Sequence, residues 1–166
     1  KILIMGLPGS GKTTLAKSLA EYFQGKYLSE PARTILNGLE VYTPKDLLAV
    51  FRAYIKRDDV DFSNKPLFLD TDLQNLFLWW QEKYGPVPKK LCQAYKAQNE
   101  RSFLLCKPDL PWVYDPLREN PNDRLALFKL YEEEIKKLKV DYIILKGSNE
   151  NRLNKVEQLI SKLVSV

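Results

Sequence analysis

Three features of this 166-residue sequence predict an α/β fold, a parallel sheet with helices on both faces. Short apolar runs alternate with amphipathic helical stretches, the pattern of strands joined by right-handed crossovers. The segment Gly6-Leu7-Pro8-Gly9-Ser10-Gly11-Lys12-Thr13 reads G-x-x-x-x-G-K-T and lies between such a strand and such a helix. Polar or charged residues closely follow four of the five predicted strands, at the carboxyl edge where such sheets bind ligands.

Taken in order, Lys1 to Met5 is a buried strand, and the helix from Thr14 to Gln24 carries Leu15, Leu19 and Phe23 on one face. Gly25 and Lys26 end that helix, and Tyr27-Leu28-Ser29 is a short second strand. Pro31 suits the first turn of a helix with apolar positions Ile35, Leu36 and Leu39. Thr43-Pro44-Lys45-Asp46 starts the next helix, which runs to about Arg57: a Thr cap, Pro at the first position and an acid in the first turn. After a polar loop from Val60 to Lys65, Pro66 to Leu69 is a third strand, and Leu73 to Tyr84 is an aromatic-rich helix broken at Gly85-Pro86. Lys89 to Glu100 reads as helix and Arg101 to Cys106 as a fourth strand. Residues 107–122 hold Pro108, Pro111, Pro116 and Pro121 and read as a lid or binding loop, since loops that long are uncommon in compact domains. A helix over Asp123 to Lys139, a fifth strand over Asp141 to Leu145 and a helix over Ser148 to Val164 complete one domain spanning residues 1–166. Leu153, Val156, Leu159, Ile160 and Leu163 form the core stripe of the last helix.

Composition narrows the function. At 45% hydrophobic and 28% charged residues the chain reads as a soluble protein. No apolar run approaches the ~20 residues of a membrane span, and no signal peptide precedes the first strand. A cytoplasmic protein without a membrane partner is expected. The net charge of +5, spread along the chain, suits an anionic small molecule, and the absence of an Arg-rich helix argues against nucleic acid. Cys92 and Cys106, with no C-x-x-C, read as free buried thiols of a reducing compartment. The sequence has no His, so a general base must be a carboxylate, Lys, Tyr or the substrate itself.

The glycine loop supplies backbone N–H groups to a phosphate chain at a helix N-terminus. Gly6, Pro8, Gly9, Ser10, Gly11, Lys12, Thr13 and Thr14 are its nucleotide-binding residues, with Lys12 reaching the β- and γ-phosphates and Thr13 ligating Mg²⁺. Asp70, at the end of an apolar strand, is the expected second Mg²⁺ residue. Asp72 has two readings, acceptor binding or the N-cap of the following helix. Glu30, after the second strand, is placed to bind acceptor hydroxyls or take a proton, and equally to favour a helix dipole. Arg33 suits phosphate or a pair with Glu30. Arg118 reads as a catalytic cation neutralising the transferring phosphoryl group, and Arg124 as either that or a surface residue. Trp112 and Tyr114 stack on a flat base or pack the loop down. Two rival nucleotide-binding classes fit poorly. A GTPase needs D-x-x-G where Asp70-Thr71-Asp72-Leu73 stands, and an AAA+ motor needs a helical domain beyond this length. A kinase of a small hydroxyl-bearing acceptor, using ATP and Mg²⁺, remains.

Together these motifs resemble the ribosylnicotinamide kinase domain of the NadR type and the AAA-type P-loop ATPases grouped with it. The resemblance runs from Ile2 to about Leu163. It rests on the glycine loop, Glu30-Pro31-Ala32-Arg33, Phe68-Leu69-Asp70-Thr71-Asp72 and Asp109-Leu110-Pro111-Trp112-Val113-Tyr114-Asp115-Pro116-Leu117-Arg118. Pro116 departs from the usual Gly. The resemblance implies a three-layer nucleotide-kinase fold with strand order 2-3-1-4-5, and ATP-dependent phosphorylation of the nicotinamide riboside 5′-hydroxyl. Glu30, Arg33, Asp72, Trp112 and Asp115 are then the substrate-binding set. A regulatory ATPase without a nucleoside acceptor, or another nucleoside or nucleotide kinase, is the alternative.

Overall fold

The structure is a computed structural model that describes residues 1–39, 41–59, 65–97, 102–111 and 123–164, with side chains described through Leu159. Its elements run β1 (Ile2–Gly6), α1 (Lys12–Tyr22), β2 (Lys26–Leu28), α2 (Pro31–Ile35), α3 (Pro44–Asp58), β3 (Leu67–Asp70), α4 (Leu73–Tyr84), α5 (Lys89–Lys96), β4 (Ser102–Cys106), α6 (Arg124–Leu138), β5 (Tyr142–Leu145) and α7 (Asn149–Val164). The five strands form one sheet in the order β2-β3-β1-β4-β5, and every pairing is parallel. This is the expected order. Arg101, residues 98–100 of the helix read over Lys89 to Glu100, the loop segment Val60 to Asn64 and most of the long loop lie outside the described residues.

Strand alternation sorts the side chains into two layers. Leu3, Met5, Leu69, Phe103 and Leu105 pack on one face against Phe128, Tyr131 and Ile135 of α6. Ile4, Phe68, Leu104 and Cys106 pack on the other against Leu15, Ala16 and Leu19 of α1 and Val156 of α7. A third cluster joins α2, α3, α4 and α5 through Ala32, Leu47, Val50, Tyr54, Leu76, Trp80 and Leu91. Cys106 is buried and Cys92 only partly so, and both are free thiols.

Helix α3 starts as its sequence dictates: Thr43 N and Oγ1 donate to Asp46 Oδ2 at 2.8 and 2.6 Å. These bonds hold the Asp46 carboxyl below its usual range. Helix α2 is shorter than expected. It stops at Ile35, Gly38 takes φ +78°, and Leu39 is 42% exposed rather than part of an apolar stripe. After the Leu36 cap the chain turns through Gly38, with Leu39 N on Leu36 O at 3.1 Å, and this turn carries Leu39 away from the core.

The end of α1 assigns its residues differently from the sequence reading. Gln24, not Gly25, takes the left-handed position at φ +50°. Gly25 N donates to Ala20 O at 2.8 Å and Gln24 N to Glu21 O at 3.2 Å, a Schellman pair. Gly25 is needed one residue later because a Cβ there would lie 2.4 Å from the Pro66 carbonyl oxygen, which accepts the first β2 bond from Lys26 N. Gly25→Ala is therefore expected to destabilise the fold by about 1–3 kcal/mol, whereas Gln24→Gly relieves a left-handed strain of about 1 kcal/mol. Urea unfolding of both variants checks the assignment, and the reverse ranking would refute it.

Candidate active site

Helix α1 begins two residues earlier than expected, at Lys12, behind Gly11 in a left-handed conformation. Its first i→i−4 bond runs from Leu15 N to Gly11 O at 3.1 Å. The N–H groups of Lys12, Thr13 and Thr14 are thus first-turn donors without helical partners, the arrangement that favours an anion. Gly6, Gly9 and Gly11 all have positive φ, at 142°, 74° and 83°, and Ser10 N closes the turn onto Leu7 O at 3.1 Å. Pro8 lies in the same turn. Ser10 is buried, and its Oγ has no hydrogen-bond partner among the described residues. Lys12 is 7% exposed, and its Nζ donates to Leu7 O at 3.0 Å.

The register of β1 on β3 pairs Ile4 with Asp70 and so carries Asp70 to the glycine loop. Thr13 Oγ1 donates to Asp70 Oδ2 at 2.6 Å. Tyr27 OH donates to the same oxygen at 3.3 Å; burial, then the Asp70 charge, pushes the Tyr27 phenol up to about 12. Thr71 and Asp72 follow as a sharp exit from the sheet. Thr71 is buried at φ +63°, a rare conformation for a β-branched residue. Asp72 Oδ1 accepts from Gln74 N at 2.8 Å, so the N-cap reading of Asp72 describes a contact the structure contains.

Glu30 sits where β2 ends and pairs with Arg33 at 3.4 Å, its side chain 13% exposed against 47% for the arginine. The pair is one of the two roles the sequence offered for Arg33. Burial is the main cause that raises the Glu30 carboxyl above its usual range; Asp70 adds to it, and Lys12, Arg33 and Arg57 oppose it. Arg124 donates to Leu110 O at 3.0 Å and Gly9 O at 3.4 Å, which places it beside the glycine loop. Arg118, Trp112, Tyr114 and Asp115 lie outside the described residues.

Two arginines that sequence reasoning missed brace this edge. Arg57 donates to Asp70 O and Thr71 O at 2.9 Å each, to Ser29 O at 3.3 Å and to Asp58 Oδ1 at 3.0 Å. Arg152 donates to Ser10 O, to Lys107 O at 2.9 Å and to Asp109 Oδ1 at 2.7 Å. The available signal was position: Arg57 follows Val50 and Tyr54 on one buried stripe, and Arg152 precedes Val156 by one turn.

A cavity of about 510 Å³ opens from Pro8, Lys12 and Glu30 and runs between α4 and α6, past Trp79, Glu82 and Glu133. Thr13 and Asp70 offer hard oxygen donors beside the loop. Mg²⁺ takes one or two such ligands and leaves the rest of its shell to phosphates and water, so this pair fits it.

The raised Glu30 carboxyl carries a stability consequence. A group whose folded pKa lies above its unfolded one contributes stability at low pH and loses it as pH rises through the folded pKa. Glu30→Gln should therefore raise Tm at pH 8 and leave it nearly unchanged at pH 3.5, a comparison that thermal unfolding at the two values makes directly. A lower Tm at pH 8 would mean that the cations around Glu30 outweigh its burial.

A family model described as an AAA domain matches residues 1–152. YorR from Bacillus subtilis, solved in complex with phosphorylated GDP, superposes with a TM-score of 0.64 at 14% identity, covering 99% of this chain and 98% of that one. Shikimate kinase from Bacteroides thetaiotaomicron superposes with a TM-score of 0.54 at 12% identity, covering 96% and 97%. At such identities these likenesses speak for the fold. Among curated proteins, the tRNA dimethylallyltransferases of two strains of Treponema pallidum are 41% identical over 96 residues, 58% of this chain and 28% of theirs. The match thus spans little more than a quarter of those relatives' length. No helix among the described residues is long and apolar enough to cross a membrane. With the family model covering nearly its whole length and a glycine loop set between β1 and α1, the chain belongs to the AAA domain family and is a P-loop NTPase.

Proposed function

We propose that this protein is an ATP-dependent small-molecule kinase that phosphorylates the 5′-hydroxyl of a nucleoside, nicotinamide riboside first. The observation that carries the reading is the cavity of about 510 Å³ that shares Leu7, Pro8 and Lys12 of the glycine loop and Glu30 with walls from α4 and α6. A regulatory ATPase has no need of such an acceptor chamber. The cavity's cations suit a nucleoside better than a nucleoside monophosphate, because Arg33 already pairs with Glu30 and Lys137 with Glu134. Trp79, Glu82 and Glu133 give the chamber an aromatic and acidic wall, which favours a flat cation such as the pyridinium.

In this mechanism the first-turn N–H groups of α1 bind the phosphate chain. Lys12 exchanges the Leu7 carbonyl for the β- and γ-phosphate oxygens. Thr13 and Asp70 would hold Mg²⁺, which would supply charge neutralisation on the phosphates. Glu30 orients the acceptor hydroxyl and accepts its proton as the acceptor oxygen bonds to the γ-phosphorus and the bond to the β-phosphate oxygen breaks. A raised carboxyl brings the base closer to neutral pH, which improves such a transfer. Arg118 is proposed to add positive charge at the transferring group, with Trp112 and Asp115 on the acceptor.

Phosphate transfer from ATP to nicotinamide riboside should exceed transfer to adenosine, uridine, thymidine and nucleoside monophosphates. A monophosphate as best acceptor would change the substrate class, and no stimulation of ATP turnover by any acceptor would favour the regulatory ATPase. A further arm, tRNA with dimethylallyl diphosphate, tests the activity named for the curated relatives. Lys12→Ala is expected to lower kcat by about 100-fold or more with an unchanged Tm. Asp70→Asn should lower kcat far more than ATP affinity; a change confined to the acceptor KM would move Asp70 to the acceptor side.

A further inference from the structure

Arg152 is 1% exposed and lies in the first turn of α7. Long side chains on a helix lean back toward its N-terminus, and this one runs under the glycine loop. There it donates to the Ser10 carbonyl, and a Cβ on Gly11 would stand 3.2 Å from its Nη1. Its Nη2 donates to Lys107 O at 2.9 Å and Asp109 Oδ1 at 2.7 Å. Asp109 Oδ2 in turn accepts from Gly147 N at 2.9 Å, after β5.

A trans peptide points its C=O and the following N–H in opposite directions. A guanidinium bonded to Ser10 C=O therefore favours a Gly11 N–H directed the other way, toward the side where a phosphate would bind, and the Asp109 partner fixes the guanidinium in that place. We propose that Arg152 is a positioning residue for the nucleotide triphosphate: it orients the Ser10–Gly11 peptide for phosphate binding, and Asp109 holds it there. The inference rests on the nucleotide reading of the glycine loop and is independent of the acceptor.

The test uses the whole chain with Mg²⁺ and compares wild type with Arg152→Met, Arg152→Lys and Asp109→Asn. Affinities for a non-hydrolysable ATP analogue and for inorganic tripolyphosphate are read by calorimetry, and the Gly11 amide by heteronuclear NMR. Arg152→Met should weaken both ligands by about tenfold and to a similar extent, as expected for loss of a charge-assisted hydrogen bond acting on phosphates alone. Arg152→Lys should recover part of the loss. The Gly11 amide resonance should move in the ligand-free Met variant while those of α4 stay. Binding within twofold of wild type, with an unmoved Gly11 amide, overturns the proposal. If Arg152→Met does not fold, Asp109→Asn decides: weaker tripolyphosphate binding supports the proposal and unchanged binding overturns it. A wild type that binds neither ligand removes the nucleotide reading and this inference together. A wild type that binds both, yet is stimulated by no acceptor, removes only the kinase reading.

Discussion

Two guanidiniums, one fully and one largely buried, hold the carboxyl edge of the sheet together. In a parallel sheet every strand reaches its carboxyl end on the same side, and there the ladder stops satisfying backbone carbonyls. Arg57 accepts that task for β2 and β3, taking the carbonyls of Ser29, Asp70 and Thr71. Arg152 does so for the loop after β1 and the end of β4, taking those of Ser10 and Lys107. A buried carbonyl left without a donor costs about 1–3 kcal/mol, so these bonds offset such penalties at Ser10, Asp70 and Thr71. Each is also balanced by one carboxylate, Asp58 or Asp109. The central position of β1 then puts the glycine loop between the two braces.

This bracing explains how strain and burial persist at the site. Thr71 in the left-handed region costs about 1–2 kcal/mol, yet its N–H bonds Ile4 O at 3.0 Å and its carbonyl bonds Arg57 at 2.9 Å, so the surroundings over-determine it. The Glu30 carboxylate is buried near Asp70 and relieved only partly by Lys12, Arg33 and Arg57. Both features lower stability at the positions where the proposed chemistry occurs. The sheet core beneath them, with Leu3, Ile4, Phe68 and Phe103 fully buried, supplies the compensating stability.

Much of this was legible in the sequence because it is written locally. The alternation of runs identifies the strands, the glycine loop identifies β1 and α1, and Thr43-Pro44-Lys45-Asp46 marks the start of α3. Asp70 and Thr13 could be paired because both motifs lie at strand ends that must converge. What stayed hidden depends on partners distant in the chain. Gly25 looked like a helix stop, but its reason is the approach of Pro66 from far along the chain. Tyr27 gave no sign that its hydroxyl would meet Asp70. Arg57 marked only the approximate end of a helix and Arg152 drew no notice, and only a charge lying on a buried stripe hinted at their role. Asp72 was left with two readings because a cap and a ligand carboxylate occupy the same place in sequence, and the cap bond from Gln74 N, which uses Oδ1 alone, is a fact of the folded chain that the sequence does not spell out.

That cap also links the two halves of the proposed site. Asp72 starts α4 directly after Asp70 and Thr71, so the orientation of the helix is set by the same strand end that carries the proposed metal carboxylate. From that start α4 divides its faces. Leu73, Leu76 and Trp80 enter the helical cluster with α3 and α5, while Asn75, Trp79 and Glu82, spaced four and three residues apart, line the cavity. Gln74 donates to Tyr131 O at 2.7 Å and fixes the distance from α4 to α6, the opposite cavity wall. The phosphate edge and the cavity are therefore joined through a two-residue turn and a helix cap. Residues such as Glu82 and Glu133 can vary at the far end of the chamber without disturbing Lys12, Thr13 or Asp70. Under the proposed function, such an arrangement would separate the phosphate end of the site from the residues that select the acceptor.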